Sequence, residues 1–204
     1  MARGWPVTLT DGRVRLRPLR RREAAAWSAL RKRNAEWLVP WEATPPGGPP
    51  TFRADLATYL VMVRSLGREA RAGRALPFAI HYDGVLVGQL TVSSVIRGSL
   101  ESASVGYWVD QRIAGRGVMP SALALSVDDG LGPVGLHRIE ANVRPENTAS
   151  RRVVEKLGFR EEGLRRRLLH IDGDWRDHLC YAVTTDDVPE GVLARWRAVR
   201  RQDP

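Results

Sequence analysis

Three β-rich runs follow one another between Leu76 and Asp110 before a helical pattern begins at Val118, and no other feature limits the fold as much. Leu76 to Tyr82 and Val85 to Val92 are separated by Asp83-Gly84, a dipeptide that accepts the positive φ angles of a tight hairpin; Ala103 to Asp110 continues the meander. Strands joined by hairpins are antiparallel, which excludes a doubly wound dinucleotide-binding sheet, where single strands alternate with helices.

The flanking segments fit around this meander. Val14 to Leu19 alternates apolar and basic residues as a strand, and a helix follows with Trp27, Leu30, Asn34, Trp37 and Leu38 on one face. Pro40 to Pro50 is dense in proline and glycine and reads as a loop. Thr51 is a predicted N-cap for a second helix, with Phe52, Leu56, Tyr59, Leu60 and Val63 at helical spacing. A helix is expected from Val118 to Leu131, stopped by Gly130 and Gly132, then a strand from Arg138 to Val143. Asn147 caps a helix through Leu157 that ends at Gly158, with Phe159 packing back. Strands near Glu162 to Ile171 and Trp175 to Thr184 flank the turn Asp172-Gly173-Asp174.

These elements predict an α/β (α+β) domain over residues 1–187, with a mixed, mostly antiparallel sheet of about seven strands flanked by helices. Residues 188–204 are expected to dock on it as a basic C-terminal helix, with Val192, Trp196 and Val199 at helical spacing. No run approaches the roughly 20 apolar residues of a membrane span, and the first residues lack a signal-peptide core, so a cytoplasmic protein with no membrane partner is expected.

The formal net charge of +9 suits an anionic partner: a phosphorylated cofactor, or a nucleic-acid or ribosomal surface. Nearly all of the positive charge is arginine, with lysine only at Lys32 and Lys156, so a solvated basic surface fits it too. The single cysteine, Cys180, falls in an apolar-alternating run and reads as a buried, inert thiol. His81, His137, His170 and His178 have no metal-site spacing, so no metal is expected.

One turn carries a chemical signature. Arg112-Ile113-Ala114-Gly115-Arg116-Gly117 has the form Arg-x-x-Gly-x-Gly between a predicted strand and a predicted helix. Glycines there let backbone N–H groups converge on a phosphate, and the helix N-terminus adds partial positive charge. The same residues would also serve a plain chain reversal, and they match neither a Walker loop nor a Rossmann fingerprint.

Gln111 to Val118 resembles the acetyl-coenzyme A motif Gln/Arg-x-x-Gly-x-Gly/Ala of the Gcn5-related N-acetyltransferase (GNAT) superfamily. Arg144-Pro145-Glu146-Asn147-Thr148-Ala149-Ser150 and Glu155-Lys156-Leu157-Gly158-Phe159 resemble that family's Asn-x-x-Ser helix and its Lys-Leu-Gly-Phe ending. Val95 to Ser99, Gly106-Tyr107-Trp108, His137-Arg138-Ile139 and Asp172 to His178 are similar to the RimJ/RimL ribosomal-protein acetyltransferase branch. The resemblance implies a sheet splayed at its fourth and fifth strands, with pantetheine in the gap near Tyr107 and Val109. It also implies that Gly115, Arg116, Gly117, Val118 and Met119 surround the pyrophosphate, with Arg112 of the same turn also binding the cofactor, and that Asn147 and Ser150 face the pantetheine or thiol end.

The implied chemistry is direct attack of a neutral amine on the thioester of acetyl-coenzyme A. An α-amino group is about one-tenth neutral at pH 7, and a lysine roughly one part in two thousand, so an N-terminal acceptor needs little help from a base. Where some relatives place a glutamate base and a tyrosine acid, this chain has Asn142 and Val154. Glu140 and Glu101 are the remaining candidate bases, and Ser150 is the candidate group beside the leaving thiolate. Trp37, Trp41 and Glu42 are candidates for lining an acceptor groove. The resemblance favours the N-terminus of a ribosomal protein as acceptor; a small amine or amino sugar, or a non-catalytic ribosome- or RNA-binding module, are the alternative readings.

Overall fold

The computed structural model describes residues 5–48 and 53–202. Among the described residues, eight strands form one sheet in the order β1-β2-β3-β4-β5-β6-β8-β7. They are β1 (Leu9–Asp11), β2 (Val14–Pro18), β3 (Leu76–Tyr82), β4 (Val85–Ile96), β5 (Ser102–Val109), β6 (Arg138–Val143), β7 (Arg160–Ile171) and β8 (Asp174–Thr184). Accompanying them among the described residues are the α-helices α1 (Ala24–Arg33), α2 (Ala35–Leu38), α3 (Leu56–Arg71), α4 (Val118–Leu131), α5 (Thr148–Lys156) and α6 (Val192–Gln202).

All neighbouring strands are antiparallel except β5 and β6, which run parallel. A parallel neighbour requires a crossover, and α4 supplies it. Almost every α4 side chain is buried, and the helix packs on β1, β2, β4 and β6. α1 and α3 pack against β4 and β3. Strand alternation puts Leu90 in the core shared with α4, while its neighbour Gln89 accepts a hydrogen bond from Trp27 of α1 at 3.1 Å, so helices cover both faces of the sheet.

Several boundaries differ from expectation. The additional strand, β1, has three residues and pairs with β2; so short a run shows no legible period. The first predicted helix breaks at Asn34, whose Nδ2 donates to the Leu30 carbonyl at 2.9 Å and whose Oδ1 accepts from the Gln111 N–H at 2.9 Å. Trp27, Leu30, Asn34 and Leu38 are buried as predicted, but the break leaves Trp37 only partly covered. Thr51 and Phe52 lie outside the described residues. Asp55 caps α3 by accepting from the Thr58 N–H at 2.8 Å, and Leu56 is exposed. Gly130 does not stop α4: it lies within the helix, where a Cβ would stand 2.7 Å from Ile139 of β6, and Gly132 forms the C-cap. Asn147 caps α5 as predicted, accepting from the Ser150 N–H at 3.0 Å, and Phe159 folds back, donating its N–H to the Val154 carbonyl at 3.1 Å. The C-terminal helix starts at Val192 rather than Val188 and buries Val192 and Trp196 in the main core.

Asp129 of α4 is buried with Oδ2 unpartnered among the described residues, and burial pushes its carboxyl from 3.8 up to about 6. Below pH 4 it is neutral in folded and unfolded chains alike. Between pH 4 and 6 only the unfolded chain ionises, so folding weakens as pH rises and then levels off. Asp129→Asn is expected to raise stability at pH 7.5 by about 1–3 kcal/mol and to flatten the pH 4–6 slope, checked by urea unfolding at pH 4.5, 6 and 7.5.

Candidate active site

The parallel pair defines the site. β5 and β6 are in register only at Ser102↔Arg138, Ala103↔Ile139 and Ser104↔Glu140, after which both strands continue without pairing each other. The divergence opens a cavity of about 830 Å³ that reaches from Tyr107 and Val109 on β5 to Asn147 and Ser150 on α5. Backbone groups of β5 from Val105 onward lack a β6 partner, which leaves that edge open to an extended ligand.

Gly115, Gly117, Val118 and Met119 line the same cavity. Gly117 is the N-cap of α4 at φ +74°, a left-handed conformation that glycine adopts without a Cβ penalty. The first N–H groups of a helix have no intrahelical acceptor, so those of Val118 and Met119 are available to an anion. Pro120, next in line, has no N–H to leave unsatisfied. Of the predicted phosphate residues, Arg112 and Arg116 are exposed and their side chains do not line the cavity. The Arg116 N–H is spent on the Ile113 carbonyl at 3.3 Å.

Arg112 instead anchors the turn. With Arg33 it holds the buried Asp110 carboxylate, at 3.0 Å and 2.8 Å. Burial opposes the charge on Asp110, but the hydrogen bonds from Arg112 and Arg33 outweigh it and keep the carboxyl well below the usual range. Asn34 holds the adjacent Gln111 N–H, so α1 and β5 together fix where the glycine turn begins.

The predicted carboxylates lie apart from the cavity. Glu101, just before β5, accepts from Arg97 at 2.9 Å and from the Gly98 N–H at 3.0 Å. Glu140 is on the closed, paired stretch of β6, where Arg138 at 3.0 Å and Arg165 at 3.1 Å hold its carboxylate. Neither lines the cavity. Val154 is fully buried, and the Asn142 Oδ1 is buried without a hydrogen-bond partner among the described residues. Ser150 does line the cavity, and its carbonyl accepts from the Tyr107 hydroxyl at 3.3 Å; burial raises that phenol, keeping it protonated. Cys180 is buried, and burial likewise pushes its thiol up.

Trp37, Trp41 and Glu42 line the cavity too. Glu42 is ion-paired with Arg31, whose guanidinium lies 4.9 Å over the Trp108 ring and 5.7 Å over Trp27; burial lowers Arg31 to about 10. Arg31 is not legible as a site residue in the sequence because its cation lies on the apolar face of α1, a placement that the aromatic stack and Glu42 help make tolerable.

The acetyltransferase (GNAT) domain model matches residues 13–160. The chain belongs to the GNAT acetyltransferase family. It superimposes on Mycobacterium smegmatis RimJ in complex with CoA-disulfide with a TM-score of 0.93 and 45% identity, covering 98% of each chain. It is 31% identical over 187 residues to the ribosomal protein uS5-alanine N-acetyltransferase of Escherichia coli strain K12, spanning 91% of this chain and 94% of that one. It is 42% identical over 105 residues to Probable N-acetyltransferase YjcK of Bacillus subtilis strain 168, spanning 52% of this chain and 58% of that one.

Because Asp110 ties α1 to this family's glycine turn, Asp110→Ala is expected to cost about 1–3 kcal/mol at pH 7 and to speed amide exchange across residues 111–118. Urea unfolding and exchange mass spectrometry check both. The lowered carboxyl stabilises the wild type above its ordinary value of 3.8, and that contribution fades as pH falls toward its folded-state value; Asp110→Ala should lack this part of the acid limb.

Proposed function

We propose that this chain transfers an acetyl group from acetyl-coenzyme A to the N-terminal α-amino group of a ribosomal protein, with a small first residue such as alanine. The observation that carries the reading is one cavity in which a glycine turn at a helix N-terminus, an unpaired strand edge and an aromatic wall with a carboxylate all meet. Similarity over nearly the whole chain to RimJ and to the uS5-alanine enzyme supports the acceptor class.

Acetyl-coenzyme A supplies a thioester carbonyl and a thiolate leaving group. In this reading the backbone of Gly115, Gly117, Val118 and Met119 holds the pyrophosphate, and the free edge of β5 at Tyr107 and Val109 holds the pantetheine amides. Asn147 fixes the first turn of α5 and thereby places Ser150, whose hydroxyl serves the leaving sulfur. Arg112 and Arg116 act outside the cavity, as an anchor and as surface charge. Glu101 and Glu140 hold their strands through ion pairs. Of the carboxylates lining the cavity, Glu146 is mostly exposed and Glu42 mostly covered, at 62% and 20% side-chain exposure, so Glu42 is the group placed to orient the acceptor ammonium and take its proton through water.

A peptide panel with labelled acetyl-coenzyme A tests the function. Free ribosomal N-termini should be acetylated about 200-fold faster than N-terminally blocked peptides bearing only lysine, the ratio of their neutral fractions at pH 7. Turnover of small amines alone would overturn the proposal. Glu42→Gln should lower kcat/KM for the peptide by about a hundredfold while leaving acetyl-coenzyme A affinity intact.

A further inference from the structure

We propose that the C-terminal helix is a clasp for the cosubstrate site, with Trp196 as the residue that positions the Gly115–Met119 turn. The proposal rests on the acetyl-coenzyme A reading above. It concerns a segment beyond the stretch that carries the family resemblance, since the family match ends at residue 160 and α6 begins at Val192.

α6 is fastened to α4 at two separated points. The Asp128 carboxylate of α4 accepts the Val192 and Leu193 N–H groups at 2.7 Å and 3.0 Å, capping α6 from another helix. Four residues on, the Trp196 Nε1–H donates to the Ser121 hydroxyl at 2.8 Å, in the first turn of α4. Asp128 belongs to the far half of α4 and Ser121 to its start, so α6 runs back along α4 toward the glycine turn. There the edge of the Trp196 ring lies 3.1 Å from where a Cβ on Gly117 would stand, and the ring itself lines the cavity.

The clasp also reaches α5. The Arg195 guanidinium group packs over Gly158, where a Cβ would meet its Nε at 2.7 Å. Gly158 closes the helix whose other end presents Asn147 and Ser150 to the cavity. Consecutive side chains of α6 therefore touch both helices that flank the opening between β5 and β6.

A turn built on two glycines samples many conformations unless something restricts it, and a ligand that must order it loses that entropy from its affinity. Trp196 leaves Gly117 little room to depart from its left-handed conformation. The ordering therefore precedes binding, and losing it affects cosubstrate affinity rather than the acetyl-transfer step.

Calorimetric titration with acetyl-coenzyme A and steady-state kinetics on the full chain test this. In Trp196→Ala, Kd and KM for acetyl-coenzyme A should rise about tenfold, with kcat and the acceptor KM within about threefold of wild type. Trp196→Phe keeps a ring against Gly117 and should recover most of the loss. Amide exchange at residues 115–119 of the ligand-free protein should be faster in Trp196→Ala. A folded Trp196→Ala with unchanged Kd, or with a lowered kcat at unchanged KM, would overturn the proposal. Should Trp196→Ala fail to fold, Asp128→Ala releases the start of α6 with the indole still present, and an unchanged Kd in that variant would overturn it equally. A wild-type chain that takes up no acetyl-coenzyme A would bring down the underlying reading and the clasp with it.

Discussion

The short parallel pairing of β5 with β6 is the constraint on which the rest depends. Every other pair in the sheet is antiparallel, and a single parallel neighbour forces the chain to cross the sheet between the two strands. That crossover begins with a tight glycine turn and continues as a helix buried on nearly all sides. Because the pairing lasts only three residues, the strands part directly beneath the turn, and α5 closes the opening from the β6 side. Gap, turn and flanking helices are thus consequences of one topological feature.

Electrostatics in the site follow burial. Three basic side chains, Arg31, Arg152 and Lys156, line the cavity, while Arg112, Arg33, Arg138 and Arg165 are each engaged by carboxylates. The first N–H groups of α4 add partial charges that stay fixed in direction and carry no side-chain entropy. Arg31 is a cation among aromatic rings, offset by Glu42 at the cavity wall. Removing either partner would leave the other poorly compensated in a site of low polarity.

Much of the architecture was legible because it was written in local patterns. The hairpin at Asp83-Gly84, the glycine turn ahead of Val118, and the Asn147 cap with its Gly158-Phe159 ending rest on interactions within a few residues, and each is found where the sequence places it. The helix break at Asn34 was not legible, because the side chain that causes it is held by Gln111, 77 positions away. Gly130 reads as a helix stop in the sequence, but its small size answers to Ile139 of β6, the strand on which α4 packs, rather than to the end of its own helix. Among the site residues, Gly115, Gly117, Val118, Met119, Asn147 and Ser150 reach the cavity because strand-to-helix order alone puts them there. Glu101 and Glu140 had strand positions but no visible partners, and Arg97, Arg138 and Arg165 turned them into structural ion pairs.

The sequence by itself determined the order of elements, the antiparallel meander, the strand-to-helix glycine turn and membership of the family, since these depend on period, turn chemistry and short motifs. Only the tertiary structure decided which carboxylate meets the cavity, which cations are neutralised, and that the C-terminal helix returns to lean on Gly117. Those outcomes depend on contacts between residues dozens of positions apart: side-chain direction and burial are set by packing, which no local pattern encodes.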